Sequence, residues 1–93
     1  MDVGYVWDEE KYRKVQKKHD VMFYEVVNAL EDSNGFEQAD EAQWEEERWI
    51  WLGQTETGRL LVVVYSDEEL PLCRIITAFE ATGRWVDEYE QRS

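Results

Sequence analysis

An α+β fold, with helices laid on a small antiparallel sheet, is what this sequence predicts, and three observations carry the prediction. Phe23, Val26, Val27 and Leu30 fall at i, i+3, i+4 and i+7, so one segment bears an apolar stripe at helical spacing. Leu60 to Tyr65 is a continuous apolar, β-branched run, which fits a central strand better than an edge. Turn residues at Asp32-Ser33-Asn34-Gly35, from Gly53 to Gly58 and from Asp67 to Pro71 cut the chain into short elements.

The elements follow in order. Val3 to Trp7 is short and rich in β-branched and aromatic residues, which predicts a strand leading directly into a helix at Asp8. Asp8 is a good N-cap, with Glu9 and Glu10 at the positive end of that helix and Lys17, Lys18 and His19 at its negative end. Asp20 separates it from a second helix, Met22 to Leu30, because aspartate tolerates a left-handed backbone better than most residues. From Glu31 to Glu46 no periodicity survives counting, so an irregular connection is expected. Glu47 to Leu52 then alternates, Trp49 and Trp51 toward one face of a strand and Ile50 and Leu52 toward the other. The turn after it makes an antiparallel hairpin with the Leu60 to Tyr65 strand. Cys73 to Phe79 is a further strand, and a terminal helix carries Trp85 and Tyr89 one turn apart. The expected order is β-α-α-β-β-β-α, in a single domain over residues 1–93.

Charge narrows the function. Acids number 22 against 10 Lys plus Arg, a formal charge of -12, and a surface of that sign repels a phosphate backbone. The exception is local. Lys11, Arg13, Lys14, Lys17, Lys18 and His19 form a run without an acid, whereas Glu31 to Glu47 holds acids and no base. That acidic run lacks the spacing of a calcium loop, and one His with one Cys makes no zinc site, so no metal and no cofactor is expected. Cys73 reads as a buried small hydrophobe rather than a nucleophile. Without a long apolar stretch the chain predicts a soluble, cytoplasmic protein with no membrane contact.

One set of residues also carries a family likeness: Trp7-Asp8-Glu9-Glu10-Lys11, Lys18-His19 followed by Val21 and Phe23, Glu47-Arg48-Trp49 with Gly53, Gly58-Arg59-Leu60, Arg74-Ile75-Ile76-Thr77-Ala78, then Ala81-Thr82 and Tyr89. In that order and spacing the chain resembles the BrnT toxins, the ribonuclease half of a type II toxin-antitoxin pair with a RelE-like fold. The resemblance implies a metal-independent enzyme that cleaves RNA in translation and is neutralised by an antitoxin of ribbon-helix-helix type. It places Arg59 and Arg74 as phosphate clamps, with His19 or Arg84 assisting, and it makes Lys11, Lys14, Lys18, Trp85 and Tyr89 candidates for contact with RNA or a partner.

The departures from the family pattern matter as much. Phe79 and Glu80 stand where the family is basic, the last helix reads Gly83-Arg84-Trp85-Val86-Asp87-Glu88-Tyr89, and Asp20 replaces the glycine of a Lys-His-Gly signature. Losing one charge-assisted phosphate contact costs about 10² to 10³ in rate. The expectation is therefore a toxin scaffold with weakened or lost ribonuclease activity that acts by binding an antitoxin-like protein. Two alternatives stand beside it: an active ribonuclease, and an acidic mimic of nucleic acid that occupies a basic protein.

Overall fold

The computed structural model describes residues 4–39, 48–66 and 72–92. Its elements are β1 (Gly4–Trp7), α1 (Glu9–His19), α2 (Phe23–Leu30), β2 (Phe36–Ala39), β3 (Trp49–Gln54), β4 (Leu60–Ser66), β5 (Leu72–Glu80) and α3 (Arg84–Arg92). The strands form one sheet in the order β1-β5-β4-β3-β2. The α+β class and the succession of helices and strands follow the sequence reading, with two differences.

The first difference is an additional strand. Phe36–Ala39 pairs antiparallel with β3, Phe36 opposite Leu52, inside the segment expected to be irregular. A polar edge strand such as Phe36-Glu37-Gln38-Ala39 has no apolar alternation to betray it. The second difference is direction: β1 lies parallel to β5, so the sheet is mixed, while the other three junctions are antiparallel. No hairpin links β1 to β5, so nothing local imposes an antiparallel pairing on them. Residues 40–47 of the acidic run, the turn expected at 67–71 and Val3 lie outside the described residues.

Local chemistry sets the helix ends. The Asp8 carboxylate accepts the Lys11 N–H at 3.2 Å, and Asp20 takes a φ of 53° while its N–H donates to the Gln16 carbonyl. Met22 stays extended, its N–H donating to Glu25 Oε1 at 3.1 Å, so α2 begins one residue later than expected. The β3–β4 turn is tighter than expected. It closes through Thr55 N–H to the Arg59 carbonyl at 2.8 Å, with Gly58 at a φ of 88°.

Helices cover both faces of the sheet. On one face Val15 of α1, Val21, and Val26 and Ala29 of α2 pack against Leu61, Val63, Ile75 and Ala78. On the other, Tyr89, Trp85 and Val86 of α3 pack against Leu52, Val62 and Phe79. Leu61, Val63 and Ile75 are at most 1 % exposed, and each such side chain contributes about 1.5–3 kcal/mol by leaving water. Trp51 lies with the first core and Ile50 and Leu52 with the second, as the alternation predicts. Trp51 Nε1 also donates to the Ala29 carbonyl at 2.6 Å, pinning α2 to β3.

β5 carries a bulge. Val64 pairs with Thr77 and Tyr65 with Ile75, leaving Ile76 as an extra residue. That insertion is why Ile75 and Ala78, three positions apart, both reach the first core.

Candidate functional site

Arg59 immediately precedes β4, next to the junction of α1 and α2, and each of its three guanidinium nitrogens donates to the protein itself. Nε donates to Glu80 Oε1 at 2.7 Å, Nη1 to the Asp20 carbonyl at 2.7 Å and to Glu25 at 3.1 Å, and Nη2 to the His19 carbonyl at 3.1 Å. The His19 and Asp20 carbonyls are acceptors at the C-terminus of α1, where helix geometry leaves oxygens without an internal partner. Burial works against the charge of Arg59, but the carboxylates of Glu80 and Glu25 outweigh it and hold the pKa above its ordinary value. In this arrangement Arg59 is a clamp between α1, α2 and β5 rather than a free phosphate ligand.

The basic run of α1 forms a different surface. Lys11, Lys14, Val15, Lys18 and His19 share one side of the helix and, with Ile76 and Thr77 of β5, line a groove of about 300 Å³. Positions 11, 14, 15 and 18 follow the i, i+3, i+4, i+7 rule, which places them in one stripe. His19 also lies against Phe79, with ring centroids 5.9 Å apart. The lysines are exposed and His19 is half-buried.

The remaining candidates do not join this groove. Arg74 is registered with Val6 and Ser66 on β5, alternate to Ile75, and so belongs to the face that carries α3. Arg84 begins α3 and lies over the Trp85 ring at 5.0 Å from its centroid. A cation held this way contributes about 0.5–1 kcal/mol at an exposed site. Trp85 is half-buried in the second core. Tyr89 is only 8 % exposed, so this expected contact residue is a core residue, buried because it follows Trp85 by one turn on the face that meets the sheet.

The four residues expected to act together, His19, Arg59, Arg74 and Arg84, therefore do not converge on one cleft. His19 lines the lysine groove, Arg59 reaches His19 only at its main-chain carbonyl and is otherwise held by acids and the Asp20 carbonyl, and Arg74 and Arg84 stand on the other side of the sheet. Sequence reasoning missed Glu25 and Glu80, the partners of Arg59. Glu25 had one local signal, its position three residues after Met22 at a helix start, as in a capping box. Glu80 had none.

A second cavity, of about 290 Å³, is lined by Asn28, Glu31, Asp32, Gln54, Thr55 and Glu56. Burial alone would raise the pKa of Asp32, but the Tyr89 hydroxyl and the N–H groups of Asn34 and Gln54 donate to it and bring it below its ordinary value. Among the described residues no group of three or more His, Cys, Asp and Glu is placed to hold a metal ion, and no helix is long and apolar enough to cross a membrane.

Comparison with known proteins agrees with this architecture. A family model described as the ribonuclease toxin BrnT of a type II toxin-antitoxin system matches residues 7–84. Among solved structures, the chain is similar to the Brucella abortus ribonuclease toxin BrnT, with a TM-score of 0.57 and 16 % identity over 88 % of this chain and 100 % of that one. At that identity the likeness bears on the fold. No curated protein matches the chain.

Proposed function

The chain belongs to the BrnT family of ribonuclease toxins of type II toxin-antitoxin systems, and from that premise we propose that it acts by binding an antitoxin-like protein partner, with its ribonuclease activity weakened or lost. The observation that carries this reading is the environment of Arg59. Its donors go to Glu25, Glu80 and two backbone carbonyls, so a phosphate there competes with two carboxylates already paired to the guanidinium. Removing a single such donor from a preorganised site costs about 3–4 kcal/mol of transition-state stabilisation.

The partner in this reading is a ribbon-helix-helix antitoxin, and the working compartment is the cytoplasm. The chain acts as one domain over residues 1–93, without metal or cofactor. Two experiments test it. Pure protein incubated with total RNA at low salt should give no cleavage that Arg74→Ala abolishes; cleavage dependent on Arg74 overturns the loss of activity. Co-expression with the product of the adjacent reading frame should give a complex that co-purifies, and failure to do so overturns the pairing.

A second reading, an active metal-independent ribonuclease, draws on the groove that holds His19 among Lys11, Lys14 and Lys18. There the lysines would hold phosphates and His19 would move a proton. Cleavage that persists in Arg74→Ala and disappears in His19→Gln is the result that would favour it.

A further inference from the structure

The groove beside α1 has a feature that charge alone does not explain: one of its walls is the open edge of a β-sheet. β1 pairs with β5 only from Leu72 to Ile75, after which the chain leaves the sheet plane at Trp7 and turns into α1. From Thr77 to Glu80, β5 pairs on its β4 side only, among the described residues, and the bulged Ile76 has no strand partner. An edge of this kind presents a row of N–H and C=O groups, a template for another extended chain. A polynucleotide does not present donors and acceptors alternating at strand spacing, whereas a peptide strand matches both the N–H and the C=O groups of the edge in register.

We infer that the groove between α1 and the open half of β5 is the docking site for an extended acidic segment of a protein partner, which joins the sheet as a strand in line with β1. This rests on the reading that the chain works by binding a protein. Charge complementarity specifies the occupant. All four lysines of the chain lie on α1, while the molecule as a whole carries a charge of -12. An acidic segment is repelled by most of this surface and attracted here, which fixes where it lands.

Dimensions agree with that assignment. Lys11 and Lys18 stand about 10 Å apart along the helix axis at 1.5 Å per residue. Alternate residues of an added strand repeat about every 6.7 Å on one face. Two or three carboxylates at i, i+2 and i+4 thus come within reach of Lys11, Lys14 and Lys18. Val15 and Ile76 give the groove an apolar floor for the stems of those side chains.

The test is a titration of isotopically labelled protein with a short capped peptide of alternating glutamate and valine, followed by amide NMR. The expected result is shifts and slowed exchange at Ile76 to Glu80. Affinity should fall about tenfold in the triple variant Lys11→Gln, Lys14→Gln, Lys18→Gln, since three screened ion pairs at a few tenths of a kcal/mol each sum to that factor. A backbone N-methylated peptide of the same charge should bind as weakly as that.

Three results overturn the proposal: no shift at about 5 mM peptide, equal binding of the N-methylated peptide, or displacement of the peptide by an RNA oligonucleotide that shifts the lysines more strongly, which assigns the groove to RNA. A natural partner that co-purifies equally with wild type and triple variant also overturns it, yet leaves the partner-binding reading intact. A partner that fails with wild type overturns that reading, and the peptide titration still decides the groove.

Discussion

The Tyr89 hydroxyl donates to Asp32 Oδ2 at 2.6 Å, so the last helix of the chain is fastened to the turn that follows α2. Asp32 accepts in addition from Asn34 N–H at 3.0 Å and Gln54 N–H at 2.8 Å, which makes one carboxylate the meeting point of the α2–β2 turn, β3 and α3. The Tyr89 ring fills the second core at the same time.

Tyr89→Phe keeps the ring and removes the donor, and it should cost about 1.5–3 kcal/mol, the range for a hydrogen bond to a charged group. The pH dependence of the loss has two sides. Asp32 titrates below its ordinary value when folded, so its contribution is present above about pH 4 and is lost as pH falls through the folded pKa. Burial and the neighbouring Asp32 carboxylate push Tyr89 up to about 12. Its contribution is present below about pH 10 and is lost as pH rises from there toward the folded value. Urea unfolding across pH should show a flatter profile at both ends in the variant than in wild type.

Arg59→Met should destabilise the fold by about 3–5 kcal/mol, because Glu25 is left charged in a largely buried position. The double variant Arg59→Met, Glu25→Gln should recover a substantial part of that loss. Denaturant midpoints of the four proteins in the cycle measure it. Full stability of the single variant would mean that the clamp holds nothing together.

Asp20→Gly should stabilise the protein by about 0.5–1 kcal/mol. It removes a side chain from a left-handed backbone position and an acid from the negative end of α1, against the added freedom of the unfolded chain. The bond from Arg59 to the residue-20 carbonyl survives, since it uses the main chain. Thermal unfolding checks the sign.

Gly53→Ala should destabilise the protein by more than about 1–3 kcal/mol, the usual cost of overpacking. A Cβ at Gly53 would overlap the Ala29 carbonyl oxygen, the same oxygen that accepts the Trp51 Nε1–H, so relieving the clash separates α2 from β3. The expected result is a lowered denaturant midpoint together with a red-shifted tryptophan emission.

Local chemistry was legible in the sequence; partnership across the fold was not. Asp8 and Asp20 announce the ends of α1 because capping depends on a residue and its immediate neighbours. The Trp49 to Leu52 alternation assigns its faces for the same reason. β2 escaped because Phe36–Ala39 becomes a strand through pairing with β3, not through its own pattern. Arg59 and its acids were out of reach because Glu25 and Glu80 stand 34 and 21 positions away, and only the folded sheet brings them together. The lysine stripe was visible as a helix face, yet its second wall, Ile76 and Thr77, comes from the far end of the chain.

The bulge at Ile76 divides β5 into two half-strands that are out of phase. It falls where β1 ends, so the half that shares hydrogen bonds with two neighbours and the half with an open edge assign their side chains to the two faces by separate rules. The outer half is nonetheless tied to the rest of the fold, since Ala78 shares the first core with Ile75 and Glu80 holds Arg59. Deleting Ile76 would leave a regular strand in the same register with β4, with Ile75 and Ala78 two positions apart and still on one face, so a single alternation would govern both halves.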